Sequence, residues 1–233
     1  MTVLARRAAA EFIGTAFLVM AVVGSGVMAS RLSPDDAGLQ LLQNSLATGA
    51  ALVALIVALQ PVSASFNPVV TLVERALGMI DNRAAAALIG GQVLGGLAGA
   101  VAANLMFGLD AVAFSTHVRT GPALWLGEVI ATIGLLVVIF GTVRSGRADR
   151  VAFAVGGYIT AAYWFTSSTS FANPAVTIAR TVTDTFAGIA PASAPAFILA
   201  QLLGGAAGYV LVRFLYPPLA TPAVVTADRK VLS

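Results

Sequence analysis

Ser63-Ala-Ser-Phe-Asn67-Pro-Val-Val-Thr71 and Thr169-Ser-Phe-Ala-Asn173-Pro-Ala-Val-Thr177 decide the fold of this chain. Each stretch places a proline directly after an asparagine, and the two pairs lie 106 residues apart. Proline is tolerated at the first position of a helix, and asparagine is a good cap before it. Each stretch therefore predicts the start of a short helix. Both starts fall between hydrophobic spans, where unpaired backbone is permitted only if protein covers it or it lines a water-filled cavity.

Working outward, 58% of the 233 residues are hydrophobic and 10% charged, with a mean hydropathy of +0.92. These values are far from the soluble average and specify an all-α membrane protein whose first partner is the lipid bilayer. Cysteine is absent, which removes disulfides and thiolate metal sites. The pI near 9.8 does not indicate nucleic acid, because the basic residues are scattered at the ends of apolar segments rather than clustered on one face. Arg6 and Arg7 open like a signal peptide, but Glu11 interrupts the apolar run and further spans follow. The first segment reads as a retained helix.

Apolar runs of membrane-crossing length number six: roughly 8–28, 41–60, 84–106, 123–143, 151–165 and 194–215. The fifth is short. With the N-terminus inside, only Arg31, Arg119 and Arg180 of the thirteen basic residues fall outside, ten remaining inside. The positive-inside rule then places both termini in the cytoplasm, with a cytoplasmic tail over 217–233.

The chain is also a duplication. Glu11, Thr15 and Gly24 repeat as Glu128, Thr132 and Gly141, all at an offset of 117. Gln92, Gly95, Gly96 and Gly99 repeat as Gln201, Gly204, Gly205 and Gly208 at an offset of 109. Each half, about 8–106 and 123–216, holds three spans, an odd number, so the repeats are inverted within one domain. The two Asn-Pro helices then approach from opposite faces and meet at mid-membrane. Asn67, Pro68, Val69, Asn173, Pro174 and Ala175 form the expected pore centre. Helix N-termini there repel cations, and asparagine amides offer donors. Carbonyls of extended segments at Ser63, Ala64, Ser65 and Phe66, and at Thr169, Phe171 and Ala172, are expected to offer acceptors. Such a path suits water and small uncharged polyols and interrupts proton hopping.

The paired Asn-Pro motif, the Glu-x-x-x-Thr openings and the Gln-x-x-Gly-Gly helices resemble the aquaporin, or major intrinsic protein, family over residues 8–216. That resemblance implies an aquaporin-like bundle of six transmembrane helices and two re-entrant half-helices, with one pore per subunit of a homotetramer. It also implies that Glu11 and Glu128 accept hydrogen bonds from the pore loops and support them.

Two departures from the family pattern bear on cargo. The first motif lacks the usual histidine and has Val69 where alanine is usual. The second has Val176 where the family places an arginine, at the narrowest point. Carrying over the remaining constriction positions gives Thr48 (or Ala47), Ala161 and Ser170, a selectivity filter expected to be wide and uncharged. Loss of a guanidinium removes donors and a positive barrier. Residues 162–180 resemble the aquaglyceroporin channels associated with bacterial arsenic resistance, which implies arsenite, organoarsenicals and polyols such as glycerol as cargo.

Arg180, one turn beyond Val176, is a candidate for the outer vestibule, against a solvated or headgroup-bound arginine. Tyr163, Trp164 and Phe165 read as an interfacial belt, although Phe66 or Phe171 leaning inward would narrow the pore. His117 reads as a bystander. No spacing supports catalysis, a metal or a cofactor. The alternatives are a water-selective pore, an ion-coupled secondary transporter with inverted repeats, and a closed structural protein.

Overall fold

A computed structural model describes residues 2–216, which form eight α-helices and no strand. The tail expected over 217–233, with Arg229 and Lys230, lies outside the described residues. The first half comprises α1 (Val3–Leu32), α2 (Ala37–Leu59), the half-helix α3 (Pro68–Ala76) and α4 (Asn82–Met106). The second comprises α5 (Pro122–Arg144), α6 (Val151–Phe165), the half-helix α7 (Pro174–Ala179) and α8 (Ala194–Leu215). Five helices are long and apolar enough to cross a membrane by themselves. The fifth span, α6, is the exception, with fifteen residues and a length of about 22 Å at 1.5 Å per residue.

Local chemistry sets the helix starts. Thr2, Asp36 and Asp81 accept from Ala5, Leu39 and Ala84 N–H at the first turns of α1, α2 and α4, satisfying amides that a helix N-terminus leaves open. Asn67 and Asn173 do the same for the half-helices, each followed by proline. Gly78, in the left-handed region at φ +76°, ends α3, and Met79 N–H closes the turn onto the Glu74 carbonyl at 2.9 Å.

The two halves pack alike. In each, the first and third long helices cross closely, α1 on α4 and α5 on α8. Each half-helix touches the third helix of both halves, so α3 lies against α4 and α8, and α7 against α8 and α4. The repeated glycines make the crossings possible. A Cβ added at Gly99 would lie 2.9 Å from Ala16 Cα, and one at Gly95 would lie 2.9 Å from Phe12 Cα, both on the α1 backbone. A Cβ at Gly205 would fall 2.6 Å from Val69 Cγ1, so the larger residue after the first Asn-Pro occupies the space a glycine leaves. Small residues permitting close backbone approach are a recurrent basis of helix packing in membranes.

Gly99→Ala should therefore lower the thermal unfolding temperature in detergent, while Gly90→Ala, where an added Cβ meets nothing within 4 Å, should leave it unchanged or raise it by helix propensity. Equal behaviour of the two variants would contradict this origin of the crossing.

Candidate permeation pathway

Between α2 and α3, and between α6 and α7, the chain leaves helical geometry and returns through a loop. Phe66 and Ala172, directly before the two asparagines, hold left-handed backbone at φ +47°, and Thr169 and Ser170 do so at +61° and +50°. The second loop is thus not the extended segment expected from sequence, and the first departs from it at Phe66. Such conformations cost on the order of 1–3 kcal/mol each in non-glycine residues and persist only where the surroundings fix them.

Two fully buried glutamates do the fixing. Glu11 Oε1 accepts from Ser63 Oγ at 2.5 Å and Ser65 N–H at 2.9 Å, and its Oε2 accepts from Phe66 N–H and Gln92 Nε2, both at 2.7 Å. Glu128 repeats the pattern with Phe171 N–H at 2.9 Å, Ala172 N–H at 2.8 Å and Gln201 Nε2 at 2.6 Å. Gln92 and Gln201 also donate to Thr71 and Thr177 of the half-helices, each at 2.9 Å. Neither carboxylate lines the cavity.

The two loops lock to each other at the centre. Asn67 Nδ2 donates to the Ala172 carbonyl and Asn173 Nδ2 to the Phe66 carbonyl, each at 2.7 Å. Each Oδ1 caps its own half-helix, at Val69 N–H (2.9 Å) and Ala175 N–H (3.0 Å). One amide hydrogen of each asparagine is thereby committed, and one is left for the cavity that both side chains line. The innermost carbonyl of each loop thus already accepts one bond from the opposite asparagine. Pro68, Val69, Pro174 and Ala175 are buried behind the asparagines and do not line the cavity.

That cavity, about 300 Å³, runs from Arg7, Gln60 and Glu74 at the mouth where α1 begins to Thr48, Tyr163 and Arg180 at the second mouth. Ser63, Ala64, Ser65 and Phe66 line its first half, Ser170 and Phe171 its second. Against these loops stands an apolar wall that includes Val22, Leu52, Leu135 and Ile159. A passing molecule meets hydrogen-bonding groups on one side and hydrocarbon on the other.

The sequence-predicted filter is brought together in part. Thr48, Ser170 and Val176 are buried and line the cavity near the second mouth, whereas Ala47 lies off it. Ala161 does not contribute, being exposed on the far side of α6. The cavity face of α6 is Val151, Val155, Ile159 and Tyr163. A residue two positions from both Ile159 and Tyr163 points about 200° away from them. Tyr163 takes the place expected of Ala161, with its hydroxyl 3.2 Å from Thr48 Oγ1. The aromatic belt is split accordingly, Trp164 and Phe165 being 50% and 56% exposed and Tyr163 4%. Thr169 and Ala172 also fall outside the cavity lining.

A charge nevertheless lies close to these uncharged filter positions. Arg180 is 3% exposed and lines the cavity, because its Nε donates to the Ala187 carbonyl and its guanidinium lies 3.4 Å from the centroid of the Phe171 ring. His117 stands apart on the surface, 4.0 Å from Asp184. There the Thr116 backbone N–H, at 2.9 Å, holds the Asp184 carboxyl below its ordinary range. The first mouth had not been singled out from sequence. Its Glu74 accepts from Ser65 Oγ at 3.0 and 3.1 Å, a placement that the seven-residue spacing from Asn67 does not by itself reveal.

Glu128→Gln should lower both the unfolding temperature and solute permeability, since an amide cannot accept from two loop N–H groups and Gln201 as the carboxylate does, and a buried donor left unpaired costs about 1–3 kcal/mol. Glu11→Gln should behave alike. Wild-type stability and flux in either variant would contradict the supporting role.

The major intrinsic protein family profile matches residues 2–162 and 144–232. The chain is 51% identical over 216 residues to aquaglyceroporin AqpS of Rhizobium meliloti (strain 1021), covering 92% of each chain. Its fold is similar to the X-ray structure of the aquaglyceroporin from Plasmodium falciparum, with a TM-score of 0.69 at 18% identity, over 93% of this chain and 97% of that one. With crossed asparagines in a cavity that both loops line, two half-helices and an inverted repeat, the chain belongs to the major intrinsic protein family and is a membrane channel, not an enzyme.

Proposed function

We propose that the chain is a passive aquaglyceroporin-type channel for water and small uncharged polar solutes, with glycerol-like polyols, arsenite and organoarsenicals as cargo. The observation that carries this reading is the second mouth, where Val176 stands directly after Asn-Pro-Ala beside Thr48 and Ser170. A valine there leaves room and a hydrocarbon surface where an arginine would supply bulk and charge. Ser170 Oγ, buried and without a hydrogen-bond partner among the described residues, offers a donor and acceptor beside that surface. Arsenite near neutral pH is an uncharged trihydroxide resembling glycerol in hydrogen bonding, and an organoarsenical adds a methyl group that suits the apolar wall. The 51% identity to an aquaglyceroporin supports the same cargo class.

We further infer that the chain resides in a bacterial inner membrane as a homotetramer with one pore per subunit and both termini in the cytoplasm. In support of this orientation, Arg6, Arg7, Arg75, Arg83, Arg144, Arg147, Arg150 and Arg213 gather on the side where α1 begins. Outward faces are apolar, with Phe17, Leu94 and Phe214 exposed at 55%, 62% and 81%, as contact with lipid or a neighbouring copy requires.

Proteoliposomes should pass glycerol and arsenite as well as water. Val176→Arg should reduce glycerol and arsenite flux more than water flux, because it restores bulk and donors at the narrow point. Unchanged passage of both solutes in that variant would show that position 176 is not at the constriction.

A further inference from the structure

The duplication places residues of opposite charge at equivalent positions, Glu74 and Arg180, each seven residues beyond its asparagine, and both line the cavity. At the first mouth Arg7 also lines the cavity, so both signs of charge are present beside Glu74. The second mouth has no such balance. Arg180 makes no ion pair among the described residues, and only its Nε is bonded to protein there. A second guanidinium, Arg119, lies over the same Phe171 ring at 5.3 Å and donates from Nε to the Gly188 carbonyl at 2.9 Å and from Nη2 to the Phe186 carbonyl at 3.4 Å. The nearby carboxylate of Glu128 is behind the loop and already accepts from Phe171 and Ala172 N–H and from Gln201.

Burying a charge without a counter-ion is costly, and three features offset part of that cost here: the carbonyls of 186–188, the face of Phe171, and exposure of the remaining donors to the cavity. We propose that Arg180, backed by Arg119, is the cation barrier of this pore, a specificity-determining guanidinium set one helical turn beyond position 176. This inference rests on the channel reading above and sharpens it: the constriction is free of charge at Val176 yet closed to cations just outside. A cation at the first mouth meets a carboxylate as well as a guanidinium, whereas one at the second meets Arg180 with no carboxylate in the lining beside it. Neutral solutes still have Ser170, Thr48 and Tyr163 to bond, so their passage does not depend on the barrier. A merely structural Arg180, tying residue 187 to Phe171, would alter stability and leave ion selectivity untouched.

The test uses the full chain in proteoliposomes, reading glycerol-driven swelling and potassium flux side by side. Arg180→Met should raise potassium permeability by at least about tenfold, the least expected on removing a unit charge a few ångströms from the path at an effective dielectric of about 20, while glycerol still passes. Arg180→Lys should restore exclusion, and Arg119→Met should give a smaller rise. Glycerol flux with wild-type potassium exclusion in Arg180→Met would overturn the proposal. Should that variant not fold, absence of any rise in Arg119→Met would overturn it instead. Wild-type liposomes impermeable to glycerol would defeat the channel reading itself, a result distinguishable because it precedes any substitution.

Discussion

Backbone brought to the middle of a bilayer without helical hydrogen bonds must find its partners within the protein, because no lipid group can supply them. Glu11 and Glu128 meet that constraint. Each spreads a buried carboxylate across two loop N–H groups and a glutamine, and so holds left-handed residues in place before the asparagines. The asparagines can then reach across the duplication to the opposite loop. Without the glutamates the loops would have unsatisfied donors and strained backbone, and neither the half-helices nor the cavity between them would have a defined position.

From this anchoring the cavity acquires its character. One wall is built of loop polar groups turned inward because the chain cannot continue as helix there, and the other of helix faces whose inward residues are aliphatic. Under the proposed function, such an amphipathic path selects solutes that fit both walls, with hydroxyl groups toward the loops and carbon toward the valines, leucines and isoleucines. Its two ends differ. Glu74 marks one and Arg180 the other, so an inverted repeat symmetric in backbone is polar in charge.

Much of this was legible in the sequence because the signals are local or repeated. Asn-Pro caps are written in adjacent residues, six apolar runs follow from length and composition, and matched Glu and Gln positions in both halves point to a shared structural task. The filter was less legible. Its side chains converge from α2, α6 and two loops, and a one-turn reading of α6 hinges on where the helix ends relative to a left-handed loop. The family's constriction position on the fifth span falls on Ala161, whereas the helix face that reaches the cavity carries Ile159 and Tyr163. Arg180 shows the same limit: spacing put it one turn past Val176, but whether it met solvent or the cavity depended on how the flanking loops brought Phe171 and the Ala187 carbonyl onto it.

The kinetics of solute flux bear most directly on whether these parts form an open path rather than a carrier. Initial rates of glycerol entry into proteoliposomes, measured against concentration with and without a proton or sodium gradient, separate the two. A passive pore predicts rates that rise linearly with the glycerol gradient and ignore the ion gradient. Saturation at low concentration, or accumulation of glycerol against its gradient when ions are driven inward, would contradict it.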